Sequence, residues 1–342
     1  MAKKPGPMGS WNLIKSVSVT AIAREANRPV SIAIIGPAER RAEAIQALFT
    51  SPGPDSGTTE EMSLALPETP FIQGYDSLSE EAKFPRQVGV YDFVIDVGGS
   101  REGAPEDVIV YSIAELGGWE ATLDRILEDK PTLMLALGRN FPVFRRRVAQ
   151  RVINETAGAN AQFSLVTGIA EAFPLLHEIG LPAVVLSDVI VLTKNQTLMT
   201  LRLAATYGLP LDYKSRLKEL GPILVNALGW RSVARELAGL IPVIGFLLKP
   251  TIAYAGTVTI GKTAQLYYET GEQVTSAQAR RIYKEAYEVG KGRVRELAAS
   301  LRGRKGGGDR GGKKRLPVAP ANFDLEAQLA PQKELALAPN EE

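Results

Sequence analysis

The chain has 342 residues with 40 Lys and Arg against 38 Asp and Glu, so its formal net charge is only +2. A charge this close to zero gives no electrostatic reason to expect nucleic-acid binding. The sequence has no cysteine and one histidine, His177, which excludes disulfides, thiol catalysis and thiolate metal sites. A hydrophobic content of 45% is typical of a globular protein with a buried core.

Residues 1–28 are predicted to form an N-terminal helical arm, because their apolar side chains recur near helical spacing. The lysines near the start are not followed by an apolar stretch of roughly 7–15 residues, so no signal peptide is expected.

Residues 29–179 are predicted to form an α/β domain in which apolar strands alternate with amphipathic helices. This alternation implies crossover connections and a mostly parallel sheet flanked by helices. The predicted strands cover 30–35, 91–97, 107–112, 132–137 and 162–166, and the predicted helices cover 40–49, 119–128, 141–155 and 170–179.

Residues 180–300 are predicted to form an apolar all-α domain, and residues 301–342 a disordered tail. The tail is rich in glycine, proline and charge, which cannot offset the entropy lost on ordering. Its part over 302–315 holds seven Lys and Arg and one Asp. The predicted helices of the domain cover 184–207, 213–228, 231–240 and 277–301, with the most apolar segment at 241–266.

The loop after the first strand has the position of a phosphate-binding loop but lacks its chemistry. The pattern G-x-x-x-x-G-K-[S/T] needs a second glycine, a lysine and a hydroxyl. Gly36 supplies the first glycine, but Arg41, Ala42 and Glu43 stand at those three positions, and Pro37 removes a backbone N–H. A less favoured alternative is that Arg40 and Arg41 hold a phosphate at the start of the following helix.

Three later segments stand where a nucleotide-binding domain of this kind has its other motifs. Asp96-Val97-Gly98-Gly99 fits D-x-x-G, whereas Gly138-Arg139-Asn140-Phe141 stands where guanine specificity needs N-K-x-D and offers no carboxylate. Ser164-Leu165-Val166-Thr167-Gly168 is similar to the last GTPase segment. In order and spacing the domain resembles an Era-like or dynamin-like GTPase, which implies a Ras-like fold with a degenerate nucleotide site at Gly36, Arg40, Arg41, Asp96 and Gly99.

A literal phosphate-loop pattern also occurs at residues 256–263, with Gly256, Gly261, Lys262 and Thr263 at its defining positions. Too little chain follows it to build the parallel sheet that such a loop needs. We interpret the match as coincidence in a tightly packed helix, where the glycines permit close approach.

Seven segments of the C-terminal half have a recognisable pattern: Asp188–Ile190, Gln196–Met199, Leu203–Gly208, Gly229–Arg231, Ala234–Leu237, Ile241–Gly245 and Thr257–Glu269. With them, residues 180–272 resemble the GTPase-associated helical domain of unknown function, whose distant relatives are chloroplast import and bacterial inner-membrane proteins. The resemblance implies an architecture and a membrane association, not a reaction.

Two short apolar helices joined at Lys249-Pro250 are expected in this half, dipping into one leaflet or packing as a hairpin. A buried hairpin in a soluble helical core is the alternative.

Three functions of different classes stay open at this stage. The degraded loop favours a non-catalytic pseudo-GTPase scaffold on the cytoplasmic face of the inner membrane, with a lipid surface or a membrane protein as its partner. The second is an active NTPase that uses GTP or ATP with Mg²⁺. The third is a soluble interaction protein whose apolar helices pack in a homo-oligomer. No catalytic residue, metal site or specific nucleic-acid partner is predicted.

Overall fold

A computed structural model describes residues 19–50, 71–78, 84–85, 89–101, 108–172, 182–211 and 245–304. Parts of four sequence predictions therefore lie outside the described residues: the beginning of the N-terminal arm, residues 173–179 of the helix predicted over 170–179, the helices over 213–240, and the tail beyond residue 304.

The described chain is α/β, with one small parallel sheet and many helices. The strands are β1 (Ser31–Ile35), β2 (Phe71–Tyr75), β3 (Phe93–Asp96) and β4 (Val110–Ser112). The helices are α1 (Val19–Ala26), α2 (Ala38–Phe49), α3 (Trp119–Asp129), α4 (Met134–Asn140), α5 (Pro142–Ala172), α6 (Pro182–Thr206), α7 (Gly245–Thr270) and α8 (Ser276–Arg304), with a 3₁₀ turn over Pro131–Leu133.

The sheet confirms the predicted α/β class with parallel strands. Its strand order is β2-β1-β3-β4, and every pairing between neighbours is parallel. The central strand β1 is a continuous apolar run, as expected for a strand covered on both faces. Ile32 to Ile35 are fully buried, and burial of a side chain of this size contributes roughly 1.5–3 kcal/mol.

Two predicted strands of this domain are wrong. Residues 132–137 form the end of the 3₁₀ turn and the start of α4, and residues 162–166 lie inside α5. Both segments are short apolar runs, and such a run cannot be distinguished from a buried piece of helix by periodicity. Leu133 to Leu137 are buried, so burial rather than strand pairing explains their composition.

The structure also contains a strand that the sequence did not reveal and a helix that it predicted as broken. Strand β2 carries Gly74, which weakens a strand pattern. Helix α7 runs unbroken through Lys249 and Pro250, so the prediction of two short helices joined there is wrong for residues 245–270. A proline inside a helix costs about 3 kcal/mol, and the near-complete burial of the following turns offsets this cost.

The chain divides into two compact units, and each takes part of helices α5, α6 and α7. Unit 1 comprises Met1–Val152, Thr197–Pro222 and Ala264–Gln273, and contains the sheet. Unit 2 comprises Ile153–Gln196, Ile223–Thr263 and Val274–Glu342. The predicted boundary near residue 179 stays a prediction, because residues 173–181 lie outside the described ranges.

Unit 2 has a helical core built from small and aromatic side chains. One cluster brings Ala157 and Ala161 of α5 against Tyr254 of α7 and Val294 of α8. A second cluster consists of Ala255, Tyr283, Ala286 and Tyr287. Among the described residues, no helix is long and apolar enough to cross a bilayer.

Candidate functional site at the carboxyl edge of the sheet

The candidate nucleotide residues of the first domain meet at one place in unit 1, the carboxyl edge of strands β1 and β3. The chain passes from β1 to β2 on one side and then returns to β3 on the other side of β1. Such a switch point leaves a crevice outside the strand ends, where open α/β sheets bind ligands. Gly36 follows β1, and Asp96 to Gly99 follow β3, so the two predicted motifs face each other.

The loops after β1 and β3 are in direct backbone contact. Gly36 has a φ of +135°, and a Cβ atom there would lie 2.8 Å from Cγ2 of Val97. A Cβ atom on Gly99 would lie 2.9 Å from the backbone nitrogen of Gly36. Glycine is therefore required at both positions so that the loops can approach, and this approach leaves little room between them.

Both arginines of the degraded loop fold back over the strand ends. Arg41 donates from Nη1 to the carbonyl oxygen of Gly36 at 2.5 Å and forms an ion pair with Asp76, which follows β2. Arg40 donates from Nη1 to the carbonyl oxygen of Val97 at 3.4 Å. Since Arg41 is paired with a carboxylate, it contributes no uncompensated positive charge for a phosphate.

Asp96 binds backbone groups of the loop that follows it. Its Oδ1 accepts hydrogen bonds from the N–H groups of Gly98 and Gly99, both at 2.8 Å. Its Oδ2 lies 3.0 Å from Nε and from Nη2 of Arg101. Both oxygens of this carboxylate, whose side chain is only 7% exposed, are therefore already bound within the protein.

Arg101 links the aspartate to a second acid. Its guanidinium group also contacts Oε2 of Glu115 at 3.2 Å. Partial burial by itself would lower the pKa of Arg101, but hydrogen bonds to Asp96 and Glu115 outweigh it and raise this pKa above the usual value. Arg101 therefore stays charged and holds the loop after β3 closed.

The sequence analysis brought out Gly36, Arg40, Arg41, Asp96 and Gly99, and the structure places all five at this edge. It gave no role to Asp76, Arg101 or Glu115, which provide the closing ion pairs. Asp76 directly follows β2, but this strand was not predicted, so its end gave no signal for Asp76. Arg101 and Glu115 gave none either, because the contacts of both depend on the fold.

The other motif-like segments do not form loops at a strand end. Gly138 and Asn140 lie in α4, and Ser164 and Thr167 lie in α5. The expectation that these segments lie at the ends of strands over 132–137 and 162–166 is therefore wrong. Without those strand ends the described structure has no counterpart of a guanine-binding loop at these positions.

The literal phosphate-loop pattern lies inside α7. Its four defining residues Gly256, Gly261, Lys262 and Thr263 are all helical, so the backbone N–H groups there belong to the helix ladder. Thr263 is buried. A phosphate loop requires N–H groups that converge on one anion, and a regular helix interior does not present them in that way.

A scan of the chain against protein-family models finds no match, and neither do searches of curated proteins and of solved structures. The resemblance to GTPases and to their helical partner domain therefore depends on the quoted sequence motifs, and its consequences are proposals.

Proposed function

We propose that this protein is a non-catalytic scaffold whose sheet domain is a pseudo-GTPase head. The observation that carries the proposal is the closure of the carboxyl edge, where Asp96 binds Gly98, Gly99 and Arg101 instead of a ligand. The strand order supports it too, since the closed edge lies at the switch point where a nucleotide-binding α/β domain places its ligand.

Binding of Mg²⁺ and nucleotide would have to undo this closure. A magnesium ion at Asp96 would compete with three hydrogen bonds to a buried carboxylate, and hydrogen bonds to charged groups contribute about 1.5–3 kcal/mol each. The γ-phosphate would also need the N–H groups of Gly98 and Gly99, which Asp96 occupies. The residues present therefore do not fit a magnesium-nucleotide complex.

The test is a titration of the full-length protein with fluorescent GTP and ATP in the presence of Mg²⁺. A Kd of 1 mM corresponds to a binding free energy of only about 4 kcal/mol, and breaking the hydrogen bonds to Asp96 would cost a comparable amount. We therefore expect no binding below a concentration on the order of 100 μM. Arg41→Ala and Lys262→Ala serve as matched variants. Micromolar binding that is lost in Arg41→Ala would show a working site at the sheet edge, and binding lost in Lys262→Ala would show one in α7; either result contradicts the proposal.

The membrane part of the proposal has its support in the sequence, since the uncharged segments on both sides of Lys249 and Pro250 suit a leaflet surface. The described part of α7 buries Tyr254, Ala255 and Ile260, so these side chains are not a lipid-contacting surface. This burial argues against lipid contact by these side chains and leaves a second candidate from the sequence, an interaction protein that forms homo-oligomers. Flotation with liposomes and light scattering after gel filtration separate the two, because a scaffold on the membrane floats and a homo-oligomer has a defined mass in solution.

A further inference from the structure

Arginines outnumber acidic side chains around the junction of α4 and α5 in unit 1. Arg139 lies in the last turn of α4, and Arg145, Arg146 and Arg147 lie in the first turns of α5. Arg147 is neutralised by Glu120 and by Asp124 of α3, whose Oδ1 lies 2.8 Å from its Nε. The positive charges of Arg139, Arg145 and Arg146 must therefore be compensated by other groups.

Glu269 of α7 compensates one of them. Its Oε2 lies 3.3 Å from Nη2 of Arg146, and its Oε1 accepts hydrogen bonds from the hydroxyl of Tyr207 at 2.7 Å and from Nε2 of Gln265 at 2.9 Å. Burial and the charge of Glu269 raise the pKa of Tyr207, so Tyr207 remains a neutral donor. Both oxygens of Glu269 are therefore in use.

Arg139 and Arg145 have no acidic partner among the described residues. Arg145 makes one long hydrogen bond, 3.4 Å from its Nε to the carbonyl oxygen of Gly138. Arg139 follows Gly138 directly, and its buried Nε has no hydrogen-bond partner in the part of the chain that the structure describes. Arg145 donates to Gly138, the residue that precedes Arg139. The two uncompensated arginines therefore lie at the same helix junction, between α4 and α5.

An arginine that is removed from water without a counter-charge is costly. Burial lowers the pKa of both Arg139 and Arg145, yet a guanidinium group still keeps its charge at neutral pH. The flat guanidinium fork matches phosphate oxygens, and a phosphate monoester carries about −1.5 to −2 charges at pH 7. One phosphate group thus matches the charge of two arginines.

We propose that Arg139 and Arg145 form a binding site for a phosphate group, separate from the sheet edge. The phosphate belongs either to a small phosphorylated molecule or to a lipid headgroup that ends in a phosphate monoester, because both present the same dianionic oxygens. Tyr207 and Glu269 connect α6 and α7 to Arg146 of α5.

The experiment compares the full-length protein with Arg145→Gln and Arg139→Gln in chloride and in inorganic phosphate or pyrophosphate at equal ionic strength. We expect phosphate to raise the Tm of the wild type and its affinity to fall at least tenfold in each variant. In chloride alone, Arg145→Gln should match or exceed the wild-type Tm, because the uncompensated charge is gone. Arg281→Gln is the control, since Arg281 is 77% exposed.

Vesicles of phosphatidic acid and of phosphatidylcholine distinguish a lipid headgroup from a small phosphorylated molecule as the source of the phosphate. Flotation with phosphatidic acid that is lost in Arg145→Gln assigns a lipid, and phosphate binding without flotation assigns a small molecule. If Arg145→Gln does not fold, Arg139→Gln decides. The proposal is overturned if the wild type binds neither probe, if both variants bind like the wild type, or if binding is lost in Arg41→Gln instead.

Discussion

Asn160 of α5 donates a hydrogen bond from Nδ2 to Oγ1 of Thr257 of α7 at 2.9 Å, and both residues are fully buried in unit 2. Oδ1 of Asn160 accepts from Nδ2 of Asn195 at 2.8 Å, and Oγ1 of Thr257 accepts from Nε2 of Gln196 at 3.2 Å. These three hydrogen bonds thus connect side chains of three helices, α5, α6 and α7, in one buried polar network. A buried network of this kind stabilises only when its members are satisfied together.

Asn160→Ala should therefore lower the free energy of unfolding by about 2–3 kcal/mol, because it leaves buried partners without a hydrogen bond. Combined with Thr257→Val in a double-mutant cycle, it should show a coupling of about 1 kcal/mol by urea unfolding. Thr259→Val is the matched control, since the Thr259 hydroxyl bonds only to the carbonyl oxygen of Ala255 in its own helix. Additivity of Asn160→Ala with Thr257→Val would contradict the network.

Asp96→Asn should destabilise the protein by about 2–3 kcal/mol, because the buried carboxylate accepts hydrogen bonds from Gly98, Gly99 and Arg101. Asp76→Asn removes the same charge from an ion pair with Arg41, but the Asp76 side chain is 83% exposed. Surface pairs contribute about 0–1 kcal/mol. Urea-induced unfolding of both variants measures the contrast, and a loss in Asp96→Asn of no more than about 1 kcal/mol would show that closure around Asp96 contributes no more than an exposed ion pair.

Two helical glycines should respond to alanine with opposite signs. A Cβ atom on Gly138 would lie 2.6 Å from the Thr206 methyl group, whereas Gly158 has nothing within 4 Å of the added atom. Gly138→Ala should therefore cost about 1–3 kcal/mol, and Gly158→Ala should add up to about 1 kcal/mol through helix propensity. Thermal unfolding of the two variants beside the wild type gives the comparison, and a stabilising Gly138→Ala would exclude the tight contact with α6.

Stability should fall at high pH through buried tyrosines. Burial, with a smaller contribution from Tyr287, raises the pKa of Tyr283 to about 12. The unfolded chain loses this proton near pH 10 while the folded chain retains it. The contribution of neutral Tyr283 to the free energy of unfolding is therefore complete below about pH 10 and is lost as the pH rises towards about 12. Tyr283→Phe should flatten that part of the stability curve, and tyrosinate absorbance should show one late titration fewer.

The sequence patterns located β1, β3 and β4 and the edge beside them because these features are local. An apolar run before Gly36 predicts β1, and a strand that ends in Asp96-Val97-Gly98-Gly99 predicts β3. The patterns failed at residues 132–137 and 162–166, where burial on all sides removes the periodicity that separates a strand from a helix. They also missed β2, whose pattern Gly74 interrupts.

By itself the sequence determined that the phosphate loop lacks its second glycine, lysine and hydroxyl, because these are properties of residue type at fixed spacing. Only the tertiary structure decided that Asp96 is bound to Arg101, that Arg41 reaches Asp76, and that Arg139 and Arg145 have no described counter-charge. Each of these facts depends on which side chains come within about 3 Å of one another across the fold. Residues that are far apart in the chain come into contact only when the chain packs, and a local sequence pattern does not predict such contacts.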